Sequence, residues 1–384
     1  MGGSRMAYFN NAATTYPKPE CVCKAMADFG SQYTGSSDRG GGSKSVGKLI
    51  ADTRSLLKEL FHTQHHEVIF TPTATLALNM IIQGLVAKGK KNIYVTPFEH
   101  NAVTRVLHAL GTKYGLKVQK LKVNHDFTYD LERIGYQFAD NKPDLVIVSH
   151  ASNVFGLVAP VSEIFSLSKK YQAVTVLDMA QTAGLIDTDL GNLSCDCAVF
   201  AGHKTLYGPT GISGFLLNPD VELPPVLYGG TGVDSANQDM PEDLPSRYEM
   251  GTMNAWGIAG LHAALTWLKE TGIANIHKVE QIHRGKLLDV LREYNFIRLV
   301  GINPNCEYVG VVSVLIDGIS SDSTTPIFER LGIDVRTGLQ CAPSAHKFLG
   351  TYPAGTVRLS VGYFNSDEDF EKLREALEYI EENL

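Results

Sequence analysis

Along this chain, short apolar runs rich in β-branched residues alternate with stretches of helical periodicity. Val68–Thr71, Asn92–Thr96, Leu145–Ser149, Val174–Asp178, Ala198–Ala201 and Gly211–Leu216 read as strands. Ala74–Ala87, Ala102–Leu110 and Val161–Tyr171, lying between them, read as helices. Strands that are apolar throughout are covered on both faces. Separated by helices, they predict an α/β domain with a mostly parallel sheet, from about residue 20 to about residue 250.

Past residue 254 the rhythm changes. Two long helical stretches, Ala255–Lys269 and Ala274–Tyr294, lead into strand-like Phe296–Val300 and Val309–Ile316. A helix near Thr324–Leu331 and a strand at Thr356–Val361 follow. Ser366-Asp367-Glu368-Asp369 forms a capping box for a last helix, Asp367–Asn383. This second part reads as a smaller α+β domain.

Composition narrows the class. The net charge of −7 argues against a nucleic-acid binder or a membrane-surface protein, since both use a basic face. No apolar run is long enough for a membrane helix, and the N-terminus lacks the pattern of a secretory signal. Residues 1–5 read as a cloning remnant. Six cysteines in 384 residues are too few for a disulfide framework, which points to a reducing, cytoplasmic compartment.

The sharpest chemical signal is Val199-Phe200-Ala201-Gly202-His203-Lys204, running on to Tyr207-Gly208-Pro209-Thr210-Gly211. A strand delivers Lys204 into a turn. A lone loop lysine is ordinarily a solvated charge, but this one follows an apolar strand and so faces a cleft. A partly desolvated lysine loses its proton more easily and can form a Schiff base. Asp178 closes the strand Val174–Asp178, at the edge where open α/β sheets bind ligands. On position alone it is equally a helix cap or a carboxylate that keeps a pyridine nitrogen protonated.

Three further segments carry candidate chemistry. Phe70-Thr71-Pro72-Thr73-Ala74-Thr75 leads a strand into a helix, whose first amides form an anion site, although capping alone explains the threonines. His100 ends another strand and is either structural or a stacking face for a flat ring. Arg336-Thr337-Gly338-Leu339-Gln340-Cys341-Ala342-Pro343-Ser344 reads as a loop with one thiol. A reactive thiol needs positive charge nearby, and Arg336, His346 and Lys347 are the candidates by sequence. Arg358 opens a strand and suits a substrate carboxylate, or else a surface ion pair. Cys21/Cys23 and Cys195/Cys197 have the wrong spacing for structural zinc, with the second pair in a strand, so no metal is expected. Phosphate-loop and dinucleotide fingerprints are missing. His62, His65 and His66 read as a solvated cluster.

Together these motifs resemble the cysteine desulfurases and selenocysteine lyases, class V aminotransferases of pyridoxal-phosphate fold type I. The likeness runs from Tyr8-Phe9-Asn10-Asn11-Ala12-Ala13-Thr14 to Arg358, with every motif in the family's order. It implies three parts: residues 1–15 packing with the small domain, a large cofactor domain over 16–253, and a small domain over 254–384. It also implies roles. Lys204 would carry pyridoxal 5'-phosphate and then take the α-proton. Asp178 would pair with the ring nitrogen, Gln181 with the ring oxygen, and His100 would stack on the ring. Ala74, Thr75 and His203 would hold the phosphate. Asn153 would contact cofactor or substrate. Thr252 would reach the phosphate of a second subunit, which implies a homodimer. Arg358 would bind the substrate carboxylate.

The activity so implied converts L-cysteine to L-alanine, leaving a persulfide on Cys341 for a sulfur-acceptor protein. A selenocysteine lyase, an aminotransferase or an epimerase is the alternative within the class. An inactive sulfur-relay scaffold is the alternative outside it. Four departures from the family pattern stand out: Ala201 in place of a serine, Thr205 as an added residue, Pro72-Thr73 at the phosphate turn, and the segment Ser36–Ser43. The short run from Cys341 to Arg358 resembles the desulfurases with a compact cysteine loop.

Overall fold

A computed structural model describes residues 6–32 and 43–383. Residues 1–5 and most of the segment Ser36–Ser43 lie outside that description. The N-terminal part opens with β1 (Ala7–Tyr8) and helices α1 (Glu20–Gln32) and α2 (Ser43–Leu60). Next come β2 (Glu67–Thr71), α3 (Ala74–Ala87), β3 (Asn92–Val95), α4 (Asn101–Tyr114), β4 (Lys117–Lys120), α5 (Leu131–Asp140), β5 (Leu145–Ser149), α6 (Val161–Lys169), β6 (Val174–Asp178), β7 (Cys197–Ala201) and β8 (Ser213–Leu217).

Strands β2 to β8 form a seven-stranded sheet in the order β2-β8-β7-β6-β5-β3-β4. Neighbours from β7 to β4 run parallel, and β8 is antiparallel to both β7 and β2. The sheet is thus mixed and mostly parallel. β5, β7 and β8 are buried at every position, as two-sided coverage demands. Two hydrophobic clusters lie on its two faces, one around Phe138, Phe165 and Leu177, the other around Ile81, Ile93 and Phe215.

The C-terminal part begins with α7 (Ala255–Thr271) and α8 (Ile273–Arg292). It continues with β9 (Ile297–Val300), β10 (Val311–Ile316), α9 (Thr325–Arg330), β11 (Ile333–Asp334), β12 (Arg336–Gly338), α10 (Pro343–Leu349), β13 (Thr356–Ser360) and α11 (Asp367–Glu382). A four-stranded antiparallel sheet runs β12-β13-β10-β9. The capping box of α11 is present, with Ser366 and Asp369 as its two arms. β1 pairs in parallel with β11, and Ala7 and Phe9 are buried among Leu373, Leu377 and Val357.

Some elements differ from the sequence reading. β4 (Lys-Val-Gln-Lys) is a polar, exposed edge strand with no apolar pattern to betray it. The strand near Cys195 begins only at Cys197, because Cys195 is still in the preceding turn. Gly211 and Ile212 belong to the turn before β8, not to the strand. His66 is buried rather than solvated: its ring bonds Thr63 and the carbonyl of Cys195, while His62 and His65 stay exposed.

Candidate active site

The site sits at the carboxyl ends of the parallel strands, where the C-terminal sheet closes over them. β6 ends at Asp178, which lies in register with Ser149 on β5. β7 ends at Ala201, and the turn beyond it carries His203 and Lys204. From the C-terminal part come Arg358 on β13 and Cys341 in the loop between β12 and α10. Together with Thr73, Thr75, His100, Asn153 and Gln181, these residues line one cavity of about 360 Å³.

Lys204 opens to this cavity while its amine is enclosed by protein. Burial pulls its pKa down to about 8, partly offset by the Asp178 carboxylate. The turn that carries it is fixed from the N-terminal segment. The His203 carbonyl accepts from the Thr15 amide at 3.2 Å, Thr14 Oγ1 at 2.9 Å and Lys18 Nζ at 2.6 Å. Thr15 Oγ1 donates to the Lys204 carbonyl at 2.9 Å.

Asp178 is buried, and burial raises its pKa against the pull of Lys204 and the Ala180 amide. Oδ1 accepts from that amide at 2.9 Å, inside a turn and not at a helix start. Gln181 is buried and donates to the Ala12 carbonyl at 3.0 Å.

The start of α3 faces the same cavity. Thr73 caps it, its side chain accepting from Leu76 N. The amides of Ala74 and Thr75 have no acceptor among the described residues. Such a helix end favours an anion. His203 Nδ1 is buried and unpartnered close by in the lining, and its pKa is lowered to about 4 by burial and by Lys204 and Lys18.

His100 has a structural role and also stands in the cavity wall. It caps α4, Nδ1 accepting from Ala102 N at 3.0 Å, and it lines the cavity. Burial lowers its pKa to about 4, with Lys204 and Arg358 adding to the effect. The ring is neutral, and with Nδ1 accepting, its proton is on Nε2.

Arg358 is buried, not part of a surface pair. Nη1 donates to the Asn153 carbonyl at 2.8 Å and Nη2 to Asn10 Oδ1 at 3.2 Å, while Nε has no partner. Burial and Arg336, its opposite number on β12, lower its pKa to about 10, so it stays charged near neutral pH. A buried guanidinium with no carboxylate beside it among the described residues is costly until an anion joins it.

Cys341 is exposed at the cavity mouth. Gln340 and Cys341 both have positive φ, 40° and 59°, conformations that side chains resist. The loop is held there from behind. Asn153 Nδ2 donates to the Gln340 carbonyl at 2.7 Å and the Asn101 amide to the Cys341 carbonyl at 2.7 Å. His346 bonds Gln340 Oε1 and Thr351 Oγ1, each at 2.8 Å. This corrects one expectation: His346 is wholly buried with its pKa lowered to about 4, so it supplies no charge to the thiol. Of the three candidate cations only Arg336 lines the cavity with Cys341; Lys347 lies over the Tyr352 ring.

Residues 7–373 match the family Aminotransferase class-V. A probable cysteine desulfurase of Methanothermobacter thermautotrophicus is 31% identical over 96% of this chain and 94% of its own. This chain belongs to the cysteine desulfurase family of class-V aminotransferases. A cysteine desulfurase of Haloferax volcanii is 29% identical over 98% of this chain and 90% of its own. Among solved structures, the apo cysteine desulfurase of Thermococcus onnurineus superposes with a TM-score of 0.90 at 29% identity, covering 99% of this chain and 95% of that one. The Escherichia coli cysteine desulfurase CsdA, in an S-sulfonic acid form, gives 0.87 at 25% identity, with 99% and 95% covered.

Within this desulfurase fold, one residue stays outside the cavity. Thr252 is exposed and lines a separate cavity of about 380 Å³ with Pro72, Leu76 and Glu249, on the other flank of the α3 start. Of the departures, Ala201 lines the site and Thr205 Oγ1 is buried without a partner. Cys21 and Cys23 are exposed on α1, whereas Cys195 and Cys197 are buried by β7. Lys18, Ser149 and Gln340 escaped the sequence reading; only the run Asn10-Asn11-Ala12-Ala13 hinted that the N-terminus reaches the site.

Proposed function

We propose that this chain is a pyridoxal-phosphate-dependent cysteine desulfurase. The observation that carries the reading is the union, in one cavity, of a lysine with a depressed pKa, a buried carboxylate, an unpaired buried arginine and an exposed thiol.

The residues fit the cofactor. The free amides at Ala74 and Thr75 and the orphaned His203 Nδ1 would hold its phosphate. Asp178 would face the ring nitrogen, Gln181 the ring oxygen and His100 the ring face, with Lys204 on the aldehyde. When bound, the cofactor accepts the substrate amine and delocalises the charge left at Cα.

The remaining work falls to the chain. Arg358 takes the substrate carboxylate through its unused donors, with Asn153 beside it. Lys204 Nζ, half deprotonated near pH 8, removes the proton from Cα. The Cys341 thiolate attacks the substrate sulfur, the C–S bond breaks, a proton completes the methyl group of alanine, and Lys204 returns one to Cα. One cysteine and one thiol become one alanine and one persulfide. His100 Nε2–H is a proton source inside the site.

Thr252 and the exposed Tyr228, Val233 and Trp256 support a homodimer in which Thr252 serves the partner's phosphate. Six free cysteines support a reducing, cytoplasmic setting.

The test is to incubate the purified protein with cysteine, quantify alanine, and look by mass for one added sulfur on Cys341. Cys341→Ala is expected to abolish cysteine turnover. Retained selenocysteine turnover with no cysteine turnover in the wild type would favour a lyase. A protein that takes up no cofactor would favour an inactive scaffold.

A further inference from the structure

The wall that holds Cys341 has a second side. Arg336, Gln340 and Cys341 line the substrate cavity and also an outer groove of about 660 Å³. That groove runs along α4 over Asn101, Thr104, Arg105 and His108. Spacings of three and four residues place these on one helix face. A second groove of about 600 Å³ shares Thr104, His108 and Pro343 and adds Lys120 and Lys347. From Asn101 to Thr112 the stripe is about 16 Å long at 1.5 Å per residue.

The charge here is one-sided. The chain as a whole carries −7, yet residues 100–125 and 335–366 contain no Asp or Glu. These two stretches supply nearly all of both grooves, and no carboxylate lines either one. Arg105, Arg336 and Lys120 are exposed, and none of the three is in an ion pair among the described residues.

We propose that this basic groove docks an acidic segment of the protein that accepts sulfur from Cys341. The proposal deepens the desulfurase reading and rests on it. A stripe this long suits an extended peptide of about five residues at 3.3 Å each, more than a small thiol spans. Opposite charge steers the encounter and fixes register. The acceptor thiolate then attacks the outer sulfur of the Cys341 persulfide. The S–S bond breaks, Cys341 leaves as a thiolate, and the persulfide passes to the acceptor without net oxidation. Arg336 lies where it steadies both thiolates.

The test uses the cofactor-loaded enzyme and two synthetic peptides of equal length, one Cys flanked by Glu and one flanked by Lys. Serine-for-cysteine versions carrying a fluorophore report binding without turnover. The expected result is roughly tenfold tighter binding and faster sulfur uptake for the Glu peptide at low salt. That advantage should shrink to under about twofold in about 0.5 M NaCl. The double variant Arg105→Glu/Lys120→Glu should lose the preference while still forming alanine with dithiothreitol as acceptor. Equal binding of both peptides, a preference that survives the charge reversal, or glutathione outpacing both peptides would overturn the proposal. Failure of the wild type to form alanine with dithiothreitol counts instead against the desulfurase reading, and the binding arm still decides the groove.

Discussion

Lys18 places its ammonium 2.6 Å from the carbonyl oxygen of His203, the residue just before Lys204. Burial lowers the Lys18 pKa to about 7. Its charge also pushes the His203 imidazole down. Replacing Lys18 with Met is therefore expected to raise the His203 pKa above about 4. Since burial is the larger cause, the new value should stay below the ordinary 6.5. An NMR titration of the His203 ring in the cofactor-free protein checks this; an unchanged value would show that the two groups do not sense each other.

Asp178 holds part of the Lys204 proton affinity in place. Asp178→Asn removes that attraction and leaves desolvation opposed only by the smaller effect of Cys341. The Lys204 pKa should then fall below about 8, and amine-reactive labelling of Lys204 should reach half its maximal rate at a lower pH than in the wild type. A rise would contradict the assigned geometry.

His346 is the post behind the cysteine loop. His346→Ala removes two buried hydrogen bonds and leaves Gln340 Oε1 and Thr351 Oγ1 with only the longer contacts from Thr356 Oγ1 and to the residue 346 carbonyl. A loss of about 2–4 kcal/mol in urea unfolding is expected. Residues 340 and 341 should relax from their positive φ values, and alanine formation should drop at least about tenfold as the thiol loses its aim. His346→Gln, which restores a bond to one neighbour, should recover part of both. A loop that kept full activity in His346→Ala would show that Asn153 and Asn101 suffice.

The buried imidazoles should cost this protein stability in acid, against the buried Glu99 and Glu280, whose pKa values, raised to about 7 and about 8, act the other way. His100, His150, His203 and His346 all have folded pKa values of about 4, chiefly from burial, against 6.5 when unfolded. Between these values the unfolded chain binds more protons, so their combined effect lowers stability as pH falls from 6.5 towards 4. Among the described residues the His150 ring bonds only Thr182 Oγ1, and it is buried. Thermal melts of His150→Asn across this range should show a shallower slope than the wild type.

Periodic, apolar parts of the fold were legible in the residues. Ala74–Ala87 and Val174–Asp178 have the same bounds in the sequence reading and in the structure, because continuous apolar runs and a Thr cap mark them locally. β4 was not legible, since an exposed edge strand needs no apolar pattern. The cavity-lining places of Lys204 and Asp178 followed from the strands that lead to them, whereas Arg358 sits in the middle of β13 and does not open it. His346 was misjudged because the sequence shows a charge-bearing type but not its burial. Lys18 was missed for a related reason: its meaning lies in a bond spanning 185 residues, which no local pattern records.

Asn11 donates to the Ser360 carbonyl, Ser360 Oγ accepts the Ala12 amide, and Arg358 reaches Asn10. Residues 10–12 and 358–360 are thus bonded to one another beside the site. During synthesis the seven-stranded sheet can assemble on the ribosome well before residue 360 emerges, but the carboxylate pocket cannot. Lys204 and Arg358 stand 154 residues apart in the chain, so a nascent chain carries the lysine long before it owns the arginine.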